Sequence, residues 1–266
     1  MMTEPRGGLT GTPAGGDSLL SFAVQHPLRY LWGLGADAWI AVSTIVLGLM
    51  AIMATFLSRS PRPIDVLGRL WSRWIMRACG IDLEVVGLER LRSGQSYVLI
   101  SNHLSNFDIW CTLGSMPFTV RFVAKKELLR IPVFGQALQV SDHIVIDRQN
   151  PQAAITKINA AAARGPQGIG ILFYAEGTRS RDGKIREFKK GGVSLALKSG
   201  LPIVPMSVSG TRKFLPRGCA VIRPGGRVRI VLGEPIPTAG VPYEEREQLN
   251  QRVRDVVVSN YVPDFA

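Results

Sequence analysis

The chain has 266 residues, and its 32 lysines and arginines outnumber 20 acidic residues, giving a formal net charge of +12. This length accommodates one sizeable α/β domain plus an attachment segment, and the charge favours nucleic acid, an anionic membrane face or phosphorylated substrates as partners. Cys79, Cys111 and Cys219 have no paired spacing, which argues against a disulfide framework or a zinc site. We therefore expect no metal and no cofactor.

The N-terminal region predicts a membrane segment. Residues 1–18 are rich in Gly, Pro and Thr and are predicted to be disordered. From Ala38 to Leu57 there are twenty consecutive uncharged residues. As a helix this run is about 30 Å long, which matches the hydrocarbon thickness of a bilayer. A buried core helix and a cleaved signal peptide are the alternatives.

Arginines follow the apolar run and are accompanied by a single acid, Asp65; they are Arg59, Arg62, Arg69, Arg73 and Arg77. Because positive residues beside a span stay on the cytoplasmic side, we expect an inner-membrane protein whose folded domain faces the cytoplasm. Pro61 and Pro63 separate the run from Ile64 to Cys79, where apolar residues recur at the spacing of an amphipathic interfacial helix. Residues 19–79 are thus predicted to be a membrane-associated helical segment, either a single span or a bent pair in one leaflet.

Residues 80–266 alternate short apolar runs with helical patterns. The predicted strands are Leu83–Val86, Tyr97–Ile100, Thr119–Val123, Ile144–Ile146, Ile169–Tyr174, Ile203–Val208 and Val228–Leu232, and the predicted helices lie near 106–115, 151–164, 192–199 and 243–260. This alternation predicts the α/β class, with a mostly parallel sheet covered by helices and sites at the strand ends.

A histidine and an aspartate follow the second predicted strand. Ser105 and Asp108 have the spacing of a capping box, which starts a helix and leaves His103 in the loop before it. The two side chains can then meet, and a carboxylate on one imidazole nitrogen leaves the other as a base. Asp108 as a simple cap and His103 as an ordinary loop residue remain the alternative.

Four further blocks follow in order: Lys126–Gly135, Val145–Arg148, Glu176–Ser180 and Ile203–Met206. Together with Asn102, His103 and Asp108 they resemble the glycerolipid acyltransferase family, whose bacterial type member is 1-acylglycerol-3-phosphate acyltransferase, over roughly residues 80–235. The resemblance implies that His103, oriented by Asp108, activates the 2-hydroxyl of lysophosphatidic acid for attack on a fatty acyl thioester. The product would be phosphatidic acid.

The resemblance also implies binding residues. Glu176, Gly177, Thr178 and Arg179 would bind the acceptor phosphate, with Arg148, Lys125 and Lys126 adding positive charge, and Val204 and Pro205 would wall an acyl pocket. From the residues alone, Arg179 suits a phosphate, while an ordinary tight turn with a surface ion pair is the alternative. From the residues alone, Val204 and Pro205 are most simply part of a strand with an edge proline. The family usually has Phe-Pro before the Glu, where this chain has Tyr174 and Ala175.

Two other functional classes would fit part of this sequence. A nucleic-acid or lipid binder would explain the charge, but the basic residues are spread along the chain without an aromatic platform, so no nucleic-acid partner is expected. A lipase or thioesterase is the second class, but the chain lacks the Gly-x-Ser-x-Gly motif that would supply its nucleophile. The expected partners are acyl-CoA or acyl carrier protein, a lysophospholipid and membrane lipids. Other acceptors, including lyso-ornithine lipid, remain open.

Overall fold

The fold is known from a computed structural model, which describes residues 19–146 and 168–265. The predicted disordered segment 1–18, the predicted helix 151–164 and Arg148 lie outside these residues. The described strands are β1 (Ile81–Val86), β2 (Tyr97–Ser101), β3 (Thr119–Lys125), β4 (Ile144–Ile146), β5 (Ile169–Tyr174), β6 (Ile203–Ser209) and β7 (Gly226–Leu232). The described helices are α1 (Leu19–Gln25), α2 (Pro27–Ser58), α3 (Arg62–Ala78), α4 (Phe107–Ser115), α5 (Phe134–Val140), α6 (Gly191–Ser199) and α7 (Arg246–Ser259).

The strands form one sheet in the order β1-β7-β6-β2-β5-β3-β4. Every described pairing is parallel except β6 with β7, which confirms the predicted class. Successive residues of β2 alternate between the two faces, so Tyr97 and Leu99 pack with α3 and α4 while Val98 and Ile100 pack with α6 and α7. The sheet is therefore a middle layer between helices, and β2, fully buried, lies at its centre.

Pro205 had been interpreted as an edge-strand proline, and this is wrong because β6 lies between β7 and β2. The Pro205 carbonyl accepts a hydrogen bond from the Gly233 amide, one residue past the end of β7. Since the nitrogen of a strand residue points to the same side as its carbonyl, the missing N–H falls just outside the β6–β7 pairing, which begins at Met206. A proline is therefore tolerated in a central strand.

Hydrogen bonds connect the N-terminal helices α2 and α3 to each other and to the sheet domain. Trp32 of α2 donates its indole N–H to the carbonyl of Ala78 (2.7 Å), and Arg29 donates to the carbonyl of Pro224 (2.6 Å). From α3, Arg69 and Arg73 donate to backbone carbonyls around α4, those of Phe118 (3.1 Å) and Gly114 (2.9 Å) respectively.

Helix α2 begins at Pro27, before the uncharged run that starts at Ala38. It is long and apolar enough to cross a membrane. Only 17% of its most apolar window is buried, and large apolar side chains are exposed along it, among them Leu31, Val42, Ile45, Leu49, Met53 and Phe56. A core helix of this composition would be mostly covered. Helix α2 is therefore a candidate membrane segment.

Candidate active site

His103 and Asp108 form a direct hydrogen-bonded pair where β2 leads into α4. His103 Nδ1 lies 2.6 Å from Asp108 Oδ2, although the residues are five positions apart. Helix α4 begins at Phe107, so Asp108 lies in its first turn and His103 in the preceding loop, as the sequence predicted. Asp108 Oδ2 also accepts the amide N–H groups of Leu104 (2.7 Å) and Ser105 (3.0 Å). The carboxylate therefore fixes both the loop and the imidazole.

The pair combines a buried carboxylate with a partly accessible imidazole. Asp108 is fully buried, while the side chain of His103 is 13% exposed and lines the large cavity described below. With Nδ1 held by Asp108, the second ring nitrogen, Nε2, is left as the basic atom. This arrangement suits a general base that acts on a hydroxyl group.

Tyr174, the last residue of β5, holds the imidazole from one face. The two rings stack with their centroids 4.0 Å apart and an interplanar angle of 14°. Burial raises the pKa of the Tyr174 hydroxyl well above its ordinary value, so this residue stays neutral. Tyr174 stands where the family resemblance predicts Phe, and its ring is thus part of the site.

Glu176, two residues further along, supports the loop that carries His103. Its carboxylate accepts the amide N–H of His103 (2.9 Å) and the amide N–H of Arg186 (3.1 Å), and burial raises its pKa. The His103 carbonyl in turn accepts from the Ser180 amide (2.8 Å). Both ends of the Glu176–Ser180 block are therefore bound to the catalytic loop by backbone contacts that the sequence did not reveal.

The middle of the same block presents positive charge. Gly177 has a φ of +69°, and a Cβ added there would lie 3.0 Å from Lys189 Nζ, so glycine permits both the turn and the close approach of this lysine. Arg179 is half-buried, and its pKa is lowered first by burial and then by the nearby Arg217. Together with Thr178 between them, these groups form the cationic turn that the sequence associated with a phosphate.

The two predicted lysines at the end of β3 are placed differently. Lys125 lines the cavity and forms an exposed ion pair with Glu127 (3.1 Å). Lys126 is exposed at the start of the short 3₁₀ helix Lys126–Arg130 and does not line the cavity. Of these two lysines, Lys125 is the one that lines the cavity.

Val204 and Pro205 do not line the cavity. Both are buried within β6 in the centre of the sheet, where Val204 packs with the core on the α3–α4 face. The expectation that they wall an acyl pocket does not describe this cavity, because both side chains are packed inside the core and neither reaches the cavity wall. In the part of the chain that the structure describes, their role is packing.

The cavity has a volume of about 850 Å³, and His103 is one of the residues that line it. One arm runs between the helices α2, α3 and α5 and is lined by apolar side chains, among them Ile40, Leu47, Leu67, Trp71, Trp110 and Phe134. Its other end carries Lys189, Lys190, Lys198 and Tyr243. The imidazole thus lies between an apolar arm and a cationic end.

A buried ion pair stands in the wall of the apolar arm. Arg121 of β3 forms a bidentate pair with Asp65 of α3, with Nη2 and Oδ2 2.8 Å apart and Nη1 on Oδ1. Next to it, burial and Arg121 lower the pKa of His143 to about 3, so this imidazole is neutral and accepts the Phe122 amide N–H (3.0 Å). His143 is therefore a structural acceptor and not a second base.

One residue of the site escaped the sequence reasoning. Thr211, two residues after β6 ends, donates its hydroxyl to Asp108 Oδ1. The signal available was a polar residue just after the end of a strand, as for His103 and Glu176. Among the described residues, no cluster of three or more His, Cys, Asp or Glu side chains could hold a metal ion.

The fold and the His–Asp site define a lipid-type acyltransferase, and comparison with known proteins agrees. A family model described as Acyltransferase matches residues 82–209. The chain is 34% identical over 197 residues to the 1-acyl-sn-glycerol-3-phosphate acyltransferase of Limnanthes douglasii, covering 74% of this chain and 69% of that protein. The Pseudomonas aeruginosa protein of the same name is 32% identical over 190 residues, covering 68% of this chain and 71% of the relative.

The fold matches a solved relative as well. The crystal structure of the 1-acyl-sn-glycerophosphate (LPA) acyltransferase, PlsC, from Thermotoga maritima has a TM-score of 0.73 and 26% identity, covering 86% of this chain and 95% of that one. The chain belongs to the 1-acyl-sn-glycerol-3-phosphate acyltransferase family, which confirms the resemblance noted in its sequence.

Proposed function

We propose that the protein transfers a fatty acyl group from an acyl thioester to the 2-hydroxyl of lysophosphatidic acid, giving phosphatidic acid. The observation that carries the proposal is the His103–Asp108 pair, 2.6 Å apart, at the junction of an apolar arm and a cationic end of one cavity. A lysophospholipid and an acyl thioester each combine an apolar chain with an anionic head, and this cavity offers both environments beside one base.

The proposed reaction needs no covalent intermediate on the enzyme. His103 Nε2 takes the proton of the acceptor hydroxyl as its oxygen attacks the thioester carbonyl. The carbon–sulfur bond then breaks, and the imidazolium returns the proton to the departing thiolate. In agreement, no serine or cysteine side chain among the described residues is hydrogen-bonded to the His103 ring. Cys111, the buried cysteine closest in sequence, has a pKa raised well above its ordinary value by burial, which keeps its thiol protonated.

The acceptor phosphate is assigned to the cationic turn. Arg179 offers a fork of donors beside Gly177, and Gly177 lines the cavity together with Lys125. Thr178 and Arg179 do not line the cavity itself, so the phosphate would lie at its margin. Lys126 and Arg148 belong to the same proposal, Arg148 from outside the described residues. A carboxylate would repel a phosphate, so we assign Glu176 to holding this turn against the His103 loop and not to ligand contact.

The acyl chain is assigned to the apolar arm and the whole protein to a membrane surface. The exposed apolar face of α2 would lie in lipid, and the arm opens between α2 and the domain. The arginines of α3 support a position of the domain on the cytoplasmic side of the inner membrane. In this arrangement a lysophospholipid reaches His103 directly from the bilayer.

The test is thiol release from palmitoyl-CoA by detergent-solubilised protein, with and without lysophosphatidic acid, with lipid products separated. His103→Ala is compared with the matched control His26→Ala, because His26 is exposed and outside the cavity. General-base assistance contributes about 10²- to 10⁴-fold, so His103→Ala should lose at least about a hundredfold in turnover. The control should retain wild-type turnover.

The outcomes are distinct. Acceptor-dependent thiol release that yields phosphatidic acid supports the proposal, and equal release without acceptor identifies a thioesterase. If palmitoyl-CoA gives no activity, the assay is repeated with acyl carrier protein as the acyl donor and with a panel of lysolipids, including lyso-ornithine lipid. Full turnover in a folded His103→Ala protein would refute the proposed mechanism.

A further inference from the structure

The segment that follows β6 is attached to the catalytic loop by side-chain hydrogen bonds. Asn102, fully buried, donates to the Val208 carbonyl (2.9 Å) and accepts the Val208 amide N–H (2.8 Å). Ser105 Oγ donates to the Leu215 carbonyl (2.9 Å), and the Thr211 hydroxyl donates to Asp108 Oδ1. Val208, Thr211 and Leu215 therefore hold the His103–Asp108 loop along its length.

Thr211 is placed there by a backbone turn. Gly210 has a φ of +89°, and a Cβ on it would lie 2.3 Å from the Arg227 carbonyl oxygen, so only glycine fits this position without a shift. Thr211 begins a 3₁₀ helix, but its hydroxyl makes no capping hydrogen bond there. The hydroxyl is thus committed to Asp108 and not to local structure.

We propose that Thr211 is a positioning residue for the catalytic base, a role that rests on the proposed function. Asp108 Oδ2 receives His103 and two loop amides, whereas Oδ1 receives only the Thr211 hydroxyl among the hydrogen bonds of the described residues. That fourth hydrogen bond fixes the rotation of the carboxylate about its Cβ–Cγ bond. Thr211 is fully buried and does not line the cavity, so it acts through Asp108 and never on the substrate.

Removing the hydroxyl has two consequences for the pair. The carboxylate loses a donor that favours its charged form, so it holds the shared proton of the His–Asp pair more tightly. It also gains rotational freedom, so the imidazole is less often aligned for attack. The neighbouring groups that face the pair are Tyr174, Glu176, Arg179, Cys111 and Tyr261, and the substitution changes none of them.

The experiment compares Thr211→Val, which keeps the shape and removes the donor, with Thr211→Ser, which keeps the donor. Since a hydrogen bond to a charged group is strong, Thr211→Val should lower kcat by about tenfold or more while the KM values for acceptor and donor stay near wild type. Thr211→Ser should restore kcat. The acid limb of the pH–rate profile should move to higher pH in Thr211→Val alone.

Ser209→Ala is the matched control. Its hydroxyl is also buried, two residues earlier, but it accepts the Val262 amide N–H (3.0 Å) and has no contact with the pair. It should lower the Tm while leaving kcat and the acid limb unchanged. A loss of kcat that tracks Tm equally in Ser209→Ala and Thr211→Val would overturn the proposal, because it would reveal a general packing effect.

An activity-independent readout separates this proposal from the proposed function. The His103 ring can be followed by NMR in protein labelled at its three histidines, with His103→Gln for assignment. The resonance of the Nδ1 proton that is hydrogen-bonded to Asp108 should shift in Thr211→Val and stay in place in Thr211→Ser, even if no acyl transfer were found. An unchanged resonance in Thr211→Val, or an equal shift in Thr211→Ser, would refute the positioning role.

Discussion

Replacing Asp108 by asparagine removes the charge of the catalytic pair while keeping its shape. The asparagine oxygen can occupy the Oδ2 position and still accept from His103 and from the amides of Leu104 and Ser105. The new NH₂ group then faces the Thr211 hydroxyl, which can reverse and accept. The loop should therefore persist, and the variant isolates the electrostatic contribution of the carboxylate.

The expected loss follows from the state of His103 during the reaction. In the proposed mechanism the imidazole becomes positively charged as it takes the hydroxyl proton, and the buried Asp108 carboxylate 2.6 Å away stabilises that charge. General-base assistance of this kind is about 10²- to 10⁴-fold in rate. That corresponds to roughly 3–5 kcal/mol in the activation free energy. Turnover of Asp108→Asn should fall in this range with little change in the KM of either substrate.

Alanine at the same position should act differently. Asp108→Ala leaves the buried amides of Leu104 and Ser105 without their acceptor, and each unsatisfied group costs about 1–3 kcal/mol. The expected destabilisation of about 2–6 kcal/mol is large against a typical total stability of about 5–15 kcal/mol. Asparagine is therefore the informative substitution, and alanine should lower Tm as well as turnover.

The assay is acceptor-dependent thiol release together with thermal unfolding in the same detergent. Asp255→Asn serves as the control, because Asp255 is an exposed residue of α7 outside the cavity. If Asp108→Asn kept turnover within about fivefold of wild type at an unchanged Tm, the carboxylate would contribute far less than a general-base partner should. The reasoning from pair geometry to catalysis would then be wrong.

Three further predictions concern the surroundings of the pair. Arg179→Ala should raise the KM for lysophosphatidic acid by about tenfold or more, since a charge-assisted contact is lost. Substitution of the exposed Arg181 by alanine should leave this KM unchanged. A rise confined to the KM for the acyl donor would contradict the phosphate assignment. Burial raises the pKa of Glu176 above its ordinary 4.5, so its contribution to stability is present below that pH and is lost as pH rises through the folded-state pKa. Wild type should therefore lose stability relative to Glu176→Gln across that interval in urea unfolding, and parallel pH curves would count against it. Arg121→Met should destabilise the fold by about 3–5 kcal/mol by leaving Asp65 unpaired, and Asp65→Leu in the same chain should recover much of that loss in denaturant titrations.

Much of the local structure was predictable because it depends on neighbours along the chain. The strands and the placement of His103 before Asp108 follow from local patterns, and the structure confirms them. The prediction that Ser105 caps α4 is wrong, because the N-cap of α4 is Asn106 and the Ser105 hydroxyl donates to the Leu215 carbonyl instead. The ordered blocks also identified the family. By contrast, the edge assignment of Pro205 was wrong, since nothing local tells a strand that it lies between β7 and β2.

The sequence by itself determined the elements, the His–Asp pair and the apolar character of α2, because short-range patterns encode each of them. Only the tertiary structure decided that Glu176 accepts backbone amides, that Thr211 reaches Asp108 over 103 positions, and that an apolar arm opens beside His103. The physical reason is that these contacts depend on strand order and on which surfaces pack. Strands far apart in the chain end at one edge of the sheet, and side chains there meet only once the sheet has formed.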